Sequence, residues 1–307
     1  MKTLRDIGED ALIERLIGLV PRDPDPAAGP GDDCAVIDQD SPTLLLLKTD
    51  ALVEHVHYLP NAPALAVGWK SVARVISDFA AMGGQPERFL ITLALPPETE
   101  VAWVEDLYRG IGDCLEKFGG VLAGGETSSV PAGSAKVISI AATGSVLREN
   151  LVMRSTAKPG DFLLVTGKLG GSIRGKHLDF TPRLWESGWL TSTFKPTAMI
   201  DLSDGLAKDL PRLAAASGCG FIIDENSLPL TEGCTAAQAL GDGEDFELLF
   251  TIEAGLVTEL LESWPFPDLP ITVIGKLVPT GTGQSLTGGW EHFKEGGSPV
   301  HPSGTGD

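Results

Sequence analysis

Acidic side chains beside glycines or at the ends of apolar runs recur along this sequence. They occur in the segments Gly31-Asp32-Asp33, Thr49-Asp50, Ser77-Asp78, Gly124-Gly125-Glu126, Asp201-Leu202-Ser203-Asp204-Gly205 and Gly243-Glu244-Asp245. Each segment alone is typical of a turn or a helix cap. Together, such carboxylates are the hard oxygen ligands through which Mg²⁺ links a protein to substrate phosphates. The pattern therefore favours a site for several Mg²⁺ ions and a polyphosphate, which the acids alone would repel.

A second phosphate-binding pattern competes with the first. The segment from Gly170 to His177, GGSIRGKH, follows the apolar run FLLVTG and matches the P-loop pattern G-x-x-x-x-G-K-[ST] except at its last position. His177 lacks the hydroxyl that binds Mg²⁺ in a P-loop, and Pro182 interrupts the helix that should follow. We therefore disfavour a P-loop.

A zinc site is the third metal-related alternative. His55 and His57 would share one face of a predicted strand, and imidazoles in that arrangement suit zinc. No third His or Cys lies at a recognisable ligand spacing, and the four cysteines form no C-x-x-C pair. The sequence therefore disfavours zinc and indicates reduced thiols.

Composition limits the classes of partner. The chain has 307 residues, of which 42% are hydrophobic, and this is enough apolar material for two domains. Its 42 acidic and 23 basic residues give a formal net charge of -19, which repels nucleic acid and anionic membranes. No apolar run approaches the roughly 20 residues that a membrane span needs. We therefore expect a cytoplasmic protein that binds neither nucleic acid nor membrane.

Strands and helices that alternate along the chain must position the acidic residues. Apolar runs predict strands at 43–59, 88–95, 121–123, 136–147, 162–167, 198–202, 221–224, 247–252 and 271–277. Helical spacing predicts helices at 63–82, 98–118, 205–216 and 254–263, with an irregular Gly- and Pro-bearing segment before residue 198. We expect an α/β fold with two domains, residues 1–147 and 148–307.

Seven short motifs follow one another along the chain. They are GDDCAVI (31–37), KTDALVEHVHY (48–58), ISDFAAMGGQP (76–86), LAGGETS (122–128), RSTAKPGDFLLVTGKLGGS (154–172), MIDLSDGLAKDL (199–210) and GEDFELLFT (243–251). In this order they resemble the thiamine-monophosphate kinase family, which belongs with aminoimidazole ribonucleotide synthetase, selenophosphate synthetase and HypE. The resemblance covers nearly the whole chain, from residue 7 to residue 293.

The resemblance implies a fold and a reaction. The N-terminal domain would form a β-barrel with a second subunit at a homodimer interface, the C-terminal α/β domain would lie beside it, and ATP would bind in the cleft between them. The γ-phosphoryl group of ATP would pass directly to thiamine monophosphate and give thiamine diphosphate. ATP would be the co-substrate and several Mg²⁺ ions the cofactors, and a K⁺ requirement stays open.

The resemblance also implies roles for individual residues. The implied Mg²⁺ ligands are Asp33, Thr49, Asp50, Asp78, Glu126, Asp201 and Asp204. The implied ATP contacts are Tyr108, Gly125, Glu126, Arg154 and Ser203, and the implied contacts to thiamine are His57, Glu244 and Trp290. No separate catalytic residue is implied, because positioning and charge neutralisation supply most of the rate of phosphoryl transfer.

Three features depart from the family pattern. Glu126 stands where the family has Asp, Lys48 stands where a Ser is common, and the segment 172–199 is shorter than usual. Two alternatives stay open, and Glu126 and the shortened segment motivate the second of them. The first is another ATP-dependent synthetase of the same superfamily, and the second is a non-catalytic nucleotide-binding relative.

Overall fold

The computed structural model describes residues 2–23 and 29–293. Within these ranges the strands form two five-stranded sheets. The helices are α1 (Leu4–Ile17), α2 (Ala64–Ala81), α3 (Val101–Phe118), α4 (Lys176–Asp179), α5 (Leu184–Thr193), α6 (Leu206–Ala216), α7 (Ala236–Gly241) and α8 (Val257–Ser263). The strands are β1 (Ala35–Ile37), β2 (Thr43–Val53), β3 (Gln85–Leu95), β4 (Val121–Ser129), β5 (Val137–Leu147), β6 (Phe162–Thr166), β7 (Ala198–Asp201), β8 (Cys219–Ile223), β9 (Leu248–Ile252) and β10 (Ile271–Pro279).

The first sheet has the strand order β1-β2-β5-β3-β4. Its neighbouring strands are antiparallel except β3 and β4, which are parallel. Side chains alternate across a strand, so Leu44, Leu46 and Leu52 of β2 lie on one face and join the core beneath α2. The other face carries exposed leucines, among them Leu47 and Leu90. One side of this sheet therefore packs against helices and the other has no cover within the described chain.

Helix α2 is the central helix of the first half, and most of its residues are buried. It packs closely on α3, because glycines stand where the two backbones meet. A Cβ on Gly68 would lie 2.0 Å from the carbonyl oxygen of Leu107, and one on Gly110 would lie 1.8 Å from that of Leu65. The helix stops before Gly83, whose φ of 71° suits glycine. The charged residues of α2 are therefore held on a fixed element.

The second sheet has the order β7-β9-β6-β10-β8, with antiparallel pairing between neighbours. Its central strands are apolar on both faces because each face packs against its own core. Leu163 and Leu249 lie in the core beside α6, whereas Leu164 and Phe250 lie in the core beside α5 and α8. This sandwiching explains the continuous apolar runs in the sequence of this half.

Most predicted strands and helices are confirmed, β4 is longer than predicted, and two further expectations are wrong. Strand β2 ends at Val53, and the chain then turns back, with the N–H of His57 donating to the carbonyl of Val53. The segment before β7 is not irregular throughout, since α5 spans Leu184–Thr193. None of the helices in the described ranges is long and apolar enough to cross a bilayer.

Candidate functional site

Three of the predicted carboxylates meet in the folded chain. Asp33 precedes β1, Asp78 lies on α2 and Asp201 ends β7, and oxygen atoms of all three lie within 4.8 Å of one another. All three residues are buried. The hydroxyl of Ser77 donates a hydrogen bond of 2.6 Å to Oδ2 of Asp201. The cluster therefore joins the first half of the chain to the second.

The charges of this cluster oppose one another. Burial, together with the charges of Asp201, Asp50 and Asp33, raises the pKa of Asp78 well above its usual value, although Lys48 acts in the opposite direction. Burial and the charge of Asp33 raise the pKa of Asp201 to about 7. These shifts arise because several carboxyl groups lie together in a place where water cannot screen their charges.

Two cations offset part of this charge. Lys48 Nζ donates to Asp78 Oδ1 at 2.6 Å. Arg154 Nη2 donates to Asp33 Oδ1 at 2.6 Å, and its Nε donates to Oδ2 at 3.3 Å. Buried carboxylate oxygens in close contact are the donor set that suits Mg²⁺. Asp33, Asp78 and Asp201 are therefore the described residues that could hold such an ion, which would supply positive charge to phosphate groups there.

A small cavity shares helix α2 with this cluster, because Arg74, which lines the cavity, lies one helical turn before Asp78. The described residues that line it are His57, Arg74, Ser203, Asp204, Glu244, Phe246, Trp290 and His292. They include His57, Glu244 and Trp290, the three residues that the family resemblance implies as contacts to thiamine. The structure therefore brings the predicted thiamine contacts together.

His57 is held as a neutral imidazole in this cavity. Burial, and then the positive charges of Arg74 and Lys70 and the neighbouring His292, lower the pKa of His57 to about 2. Its Nδ1 accepts a hydrogen bond of 3.0 Å from the backbone N–H of Val53. The proton of the neutral ring is therefore on Nε2, which makes that atom a hydrogen-bond donor.

Glu244 enters the same cavity through a buried ion pair. Lys70 Nζ, on α2, donates to Glu244 Oε2 at 2.8 Å and to the carbonyl of His57 at 2.6 Å. The other carboxylate oxygen, Oε1, is buried and has no hydrogen-bond partner among the described residues. Glu244 has a φ of 52°, a left-handed conformation that is uncommon for this residue type. Glu244 thus presents one unpaired acceptor at the cavity.

The loop after β7 supplies the remaining cavity residues. Asp204 Oδ2 lies 2.7 Å from Arg212 Nη1 and 3.0 Å from Lys208 Nζ, both on α6. These two cations lower the pKa of Asp204 despite its burial. The backbone N–H of Trp290 donates to the carbonyl of Asp204 at 2.7 Å, and the indole Nε1 of Trp290 is buried without a partner in the described chain. The loop and Trp290 are therefore positioned together.

Asp50 links the two parts of the site. It lies on the same face of β2 as Lys48 and Leu46, and its Oδ2 is 3.1 Å from Arg74 Nε. Thr49 is exposed on the opposite face of the strand. Its hydroxyl is therefore on the side of the sheet away from the carboxylates.

The structure does not bring three other predicted residues to the cluster within the described chain. Glu126 and Gly125 lie on β4, which is exposed along its whole length. A Cβ on Gly125 would lie 2.0 Å from the carbonyl oxygen of Ile91, so the close pairing with β3 also requires glycine there. Tyr108 is 36% exposed on α3.

The structure also bears on the P-loop and the zinc site, the two alternatives that the sequence disfavours. The backbone N–H of Gly170 donates to both oxygens of Asp245, and that of Gly171 donates to Asp242, so carboxylates occupy the groups that a P-loop uses for phosphate. His55 and His57 lie in a turn rather than on one strand face. Among the described residues, the aspartate cluster is the one group of three metal-type ligands this close together.

Sequence reasoning missed Lys70 and Arg74. Both lie on α2, four residues apart, and Asp78 follows four residues later. Residues at this spacing share one helix face. Charged residues repeated on a face of an otherwise buried apolar helix were the signal that could have identified them.

Comparisons with known proteins identify relatives of this chain. The profile of the AIR synthase related protein N-terminal domain matches residues 31–146, and that of the C-terminal domain matches residues 174–286. A thiamine-monophosphate kinase of Rhodopirellula baltica is 36% identical over 288 residues, which cover 88% of this chain and 89% of that protein. The thiamine-monophosphate kinase of Escherichia coli K12 is 31% identical over 300 residues, which cover 88% and 90%.

Solved structures have the same fold. A structure described as AaThiL complexed with AMPPCP and TMP superposes with a TM-score of 0.83 at 30% identity, and covers 95% of this chain and 99% of that chain. A chain of a structure described as a HypE-HypF complex has a TM-score of 0.72 at 20% identity, and the match covers 92% of this chain and 98% of that chain. The second likeness concerns the fold alone. By sequence identity and coverage, the chain belongs to the thiamine-monophosphate kinase family of ATP-dependent kinases, within the AIR synthase related proteins.

Proposed function

We propose that this protein transfers the γ-phosphoryl group of ATP to the phosphate of thiamine monophosphate, with thiamine diphosphate and ADP as products. The observation that carries the proposal is that two sites share helix α2. Arg74 lines a cavity together with His57, Glu244 and Trp290, and Asp78, one helical turn later, belongs to the buried carboxylate cluster. The AaThiL structure with AMPPCP and TMP supports the same pair of substrates. The chain would thus hold the donor and acceptor phosphates next to one another.

Each group of residues has its own task in this transfer. Asp33, Asp50, Asp78, Asp201 and Asp204 would bind Mg²⁺, with contributions from a Thr49 oxygen and from Glu126. Arg154, Ser203, Gly125 and Tyr108 would contact ATP in the cleft between domains 1–147 and 148–307. His57 Nε2 would donate to the thiamine, Glu244 Oε1 would accept from it, and the Trp290 ring would cover it.

The rate would come from orientation and charge. Arg154 and Lys48 are held by Asp33 and Asp78, so they need little rearrangement to face phosphate. The buried surroundings exclude water and so favour transfer to the acceptor over hydrolysis of ATP. A site of this kind needs no covalent intermediate on the protein.

We also propose that the protein acts as a homodimer in which the first sheets of two subunits form a barrel. The support is the uncovered face of that sheet, where Leu47, Leu90 and the alanines Ala123 and Ala141 line an apolar groove. An apolar sheet face of this kind is typical of a surface that a partner covers. Nothing in the described ranges supports a K⁺ site, and the proposal includes none.

An end-point assay tests the reaction. Purified protein is mixed with MgATP and thiamine monophosphate, and products are separated by chromatography, with free thiamine and no acceptor as controls. Thiamine diphosphate and ADP are expected in equal amounts, and turnover should be lost in Asp50→Asn and Asp204→Asn. ADP without thiamine diphosphate would favour another synthetase of the superfamily, and MgATP binding without turnover would favour a non-catalytic relative.

A further inference from the structure

Arg74 lies at the junction of the two parts of the site. It is on α2, one turn before Asp78 and one turn after Lys70. Its side chain is 14% exposed and lines the cavity together with His57 and Glu244. The guanidinium therefore stands between the groups proposed to hold the acceptor and the carboxylates proposed to hold Mg²⁺.

The other charges around the cavity already have partners. Asp204 is paired with Lys208 and Arg212, and Glu244 is paired with Lys70. Among the described residues that line the cavity, Arg74 is the only Lys or Arg. An anion that entered the cavity would therefore meet one permanent positive charge.

The guanidinium is oriented but not saturated with hydrogen bonds. Its Nε lies 3.1 Å from Asp50 Oδ2, as an ion pair outside hydrogen-bond geometry. Its one hydrogen bond within the described chain is a long one, 3.5 Å from Nη1 to the carbonyl of Ala51. Its carbon Cζ lies 5.9 Å from the centre of the Phe246 ring, which supports the planar group. Nη2 is left as a donor with no acceptor in the described chain.

We propose that Arg74 binds the phosphate of the acceptor and makes the enzyme select a phosphorylated acceptor over the free alcohol. This inference rests on the proposed function. A guanidinium matches two phosphate oxygens with parallel N–H donors, and such charge-assisted hydrogen bonds are stronger than neutral ones. The phosphate would lie between the cavity and the carboxylate cluster, where the incoming phosphoryl group must arrive.

A purely structural role is the competing explanation. In that case Arg74 serves as the counter-ion that orients Asp50, and its loss would raise the Mg²⁺ concentration needed for activity. At a saturating Mg²⁺ concentration, such a loss would leave the ratio of the affinities for phosphorylated and unphosphorylated acceptors unchanged. The two explanations therefore differ in what they predict for the affinity for thiamine monophosphate relative to the affinity for thiamine when Arg74 is replaced.

The test measures acceptor binding by calorimetry, with thiamine monophosphate and with thiamine, in the presence of a non-hydrolysable ATP analogue and of Mg²⁺ at a concentration that saturates each variant. Arg74→Met removes the charge, and Arg74→Lys keeps the charge but loses the paired donors. Arg109→Met, an exposed arginine on α3, is the matched control. Thermal unfolding and binding of the ATP analogue establish that each variant is folded, and steady-state assays add KM and kcat.

We expect Arg74→Met to weaken binding of thiamine monophosphate about 10- to 100-fold and to change thiamine binding less than about threefold. Arg74→Lys should fall between Arg74→Met and the unaltered protein, and Arg109→Met should match the latter. Equal loss for both acceptors, or loss of kcat at unchanged affinity, would overturn the inference. If Arg74→Met does not fold, the same comparison is made with Arg74→Lys, which should weaken binding of thiamine monophosphate more than binding of thiamine.

The unaltered protein offers a test that needs no variant. Equal affinities for thiamine monophosphate and thiamine would overturn the inference, even if the reaction proceeds as proposed. Failure to phosphorylate thiamine monophosphate at all would instead contradict the proposed function. The two failures are therefore distinguishable.

Discussion

Lys70 and Glu244 form a buried ion pair between α2 and the segment before β9. Burial lowers the pKa of Lys70 to about 8, and the charge of Glu244 opposes that shift. Removal of one partner of a buried pair leaves the other charge without compensation. We expect Lys70→Met to lower the free energy of unfolding by about 3 kcal/mol.

A double-variant cycle in urea checks the source of that loss. Lys70→Met combined with Glu244→Gln should be less destabilised than the sum of the two single variants, because the uncompensated carboxylate is gone. Additive effects would contradict the assignment and would indicate that Lys70 contributes mainly through its contact with the carbonyl of His57.

The protonation of His57 is a second prediction at this scale. Its pKa in the folded protein, about 2, is far below the value of about 6.5 expected for the unfolded chain. Below about pH 6.5 the unfolded chain takes up a proton that the folded protein does not, so stability falls as the pH falls. We expect the proton uptake of His57 on unfolding to lower the free energy of unfolding by about 2 kcal/mol at pH 5 relative to pH 7.

Urea unfolding at pH 7 and pH 5 measures this difference, with His57→Asn as the comparison. The variant should lose less stability between the two pH values than the unaltered protein does. In NMR spectra the ring signal of His57, identified by its absence from the variant, should not shift between pH 8 and pH 5. A titration of this signal with a midpoint near pH 6.5 would show that the His57 ring is not buried from solvent as described.

At the scale of elements, the site depends on the position of α2. The closest support is the contact with α3, where the backbones approach so closely that Gly68 and Gly110 cannot carry a Cβ without displacement. We expect Gly110→Ala to lower the free energy of unfolding by about 1 to 3 kcal/mol, because the helices must move apart. Chemical unfolding measures the change.

Gly112 on the same helix is the matched control. A Cβ there would have no neighbour within 4 Å, so Gly112→Ala should stabilise the helix by about 0.5 to 1 kcal/mol. Activity should fall in Gly110→Ala but not in Gly112→Ala if α2 must stay in place. Similar behaviour of the two variants would contradict the role of close helix packing.

Strand β4 shows how tertiary pairing can override local preference. Sequence periodicity predicts a strand only over 121–123, because glycines and polar residues follow. In the structure β4 continues to Ser129, where Gly124, Gly125 and Glu126 pair in parallel with β3. Neighbouring β3 supplies hydrogen bonds that a local pattern does not reveal. Helix α5 was missed for a related reason, since its apolar residues face a core that comes from other segments.

At the scale of the whole molecule, the uncovered face of the first sheet leads to a prediction about assembly. We expect a mass in solution of about twice the chain's 32.3 kDa, measured by size-exclusion chromatography with light scattering. Leu90→Asp places a charge in the apolar groove and should shift the mass toward the monomer. Leu261→Asp, at a similarly exposed leucine of α8, should leave the mass unchanged.

A monomer mass for the unaltered protein would contradict the proposed barrel. Equal dissociation by Leu90→Asp and Leu261→Asp would show that the first sheet is not the interface. Because Glu126 and Gly125 lie on the exposed strand β4 of the same sheet, the assembly also bears on their proposed roles. Residues that lie apart from the cluster in one chain can be brought to a site by a partner.

The amino-acid sequence by itself determined the alternating α/β order, the argument against a P-loop and the resemblance to the family, because apolar periodicity and short motifs are local properties. It also identified Asp33, Asp78 and Asp201 as candidates. Only the tertiary structure decided which carboxylates meet, since these three are brought together by a loop, a helix and a strand from both halves. It likewise revealed Arg74 and Lys70, whose roles depend on through-space contacts that no spacing along the chain records.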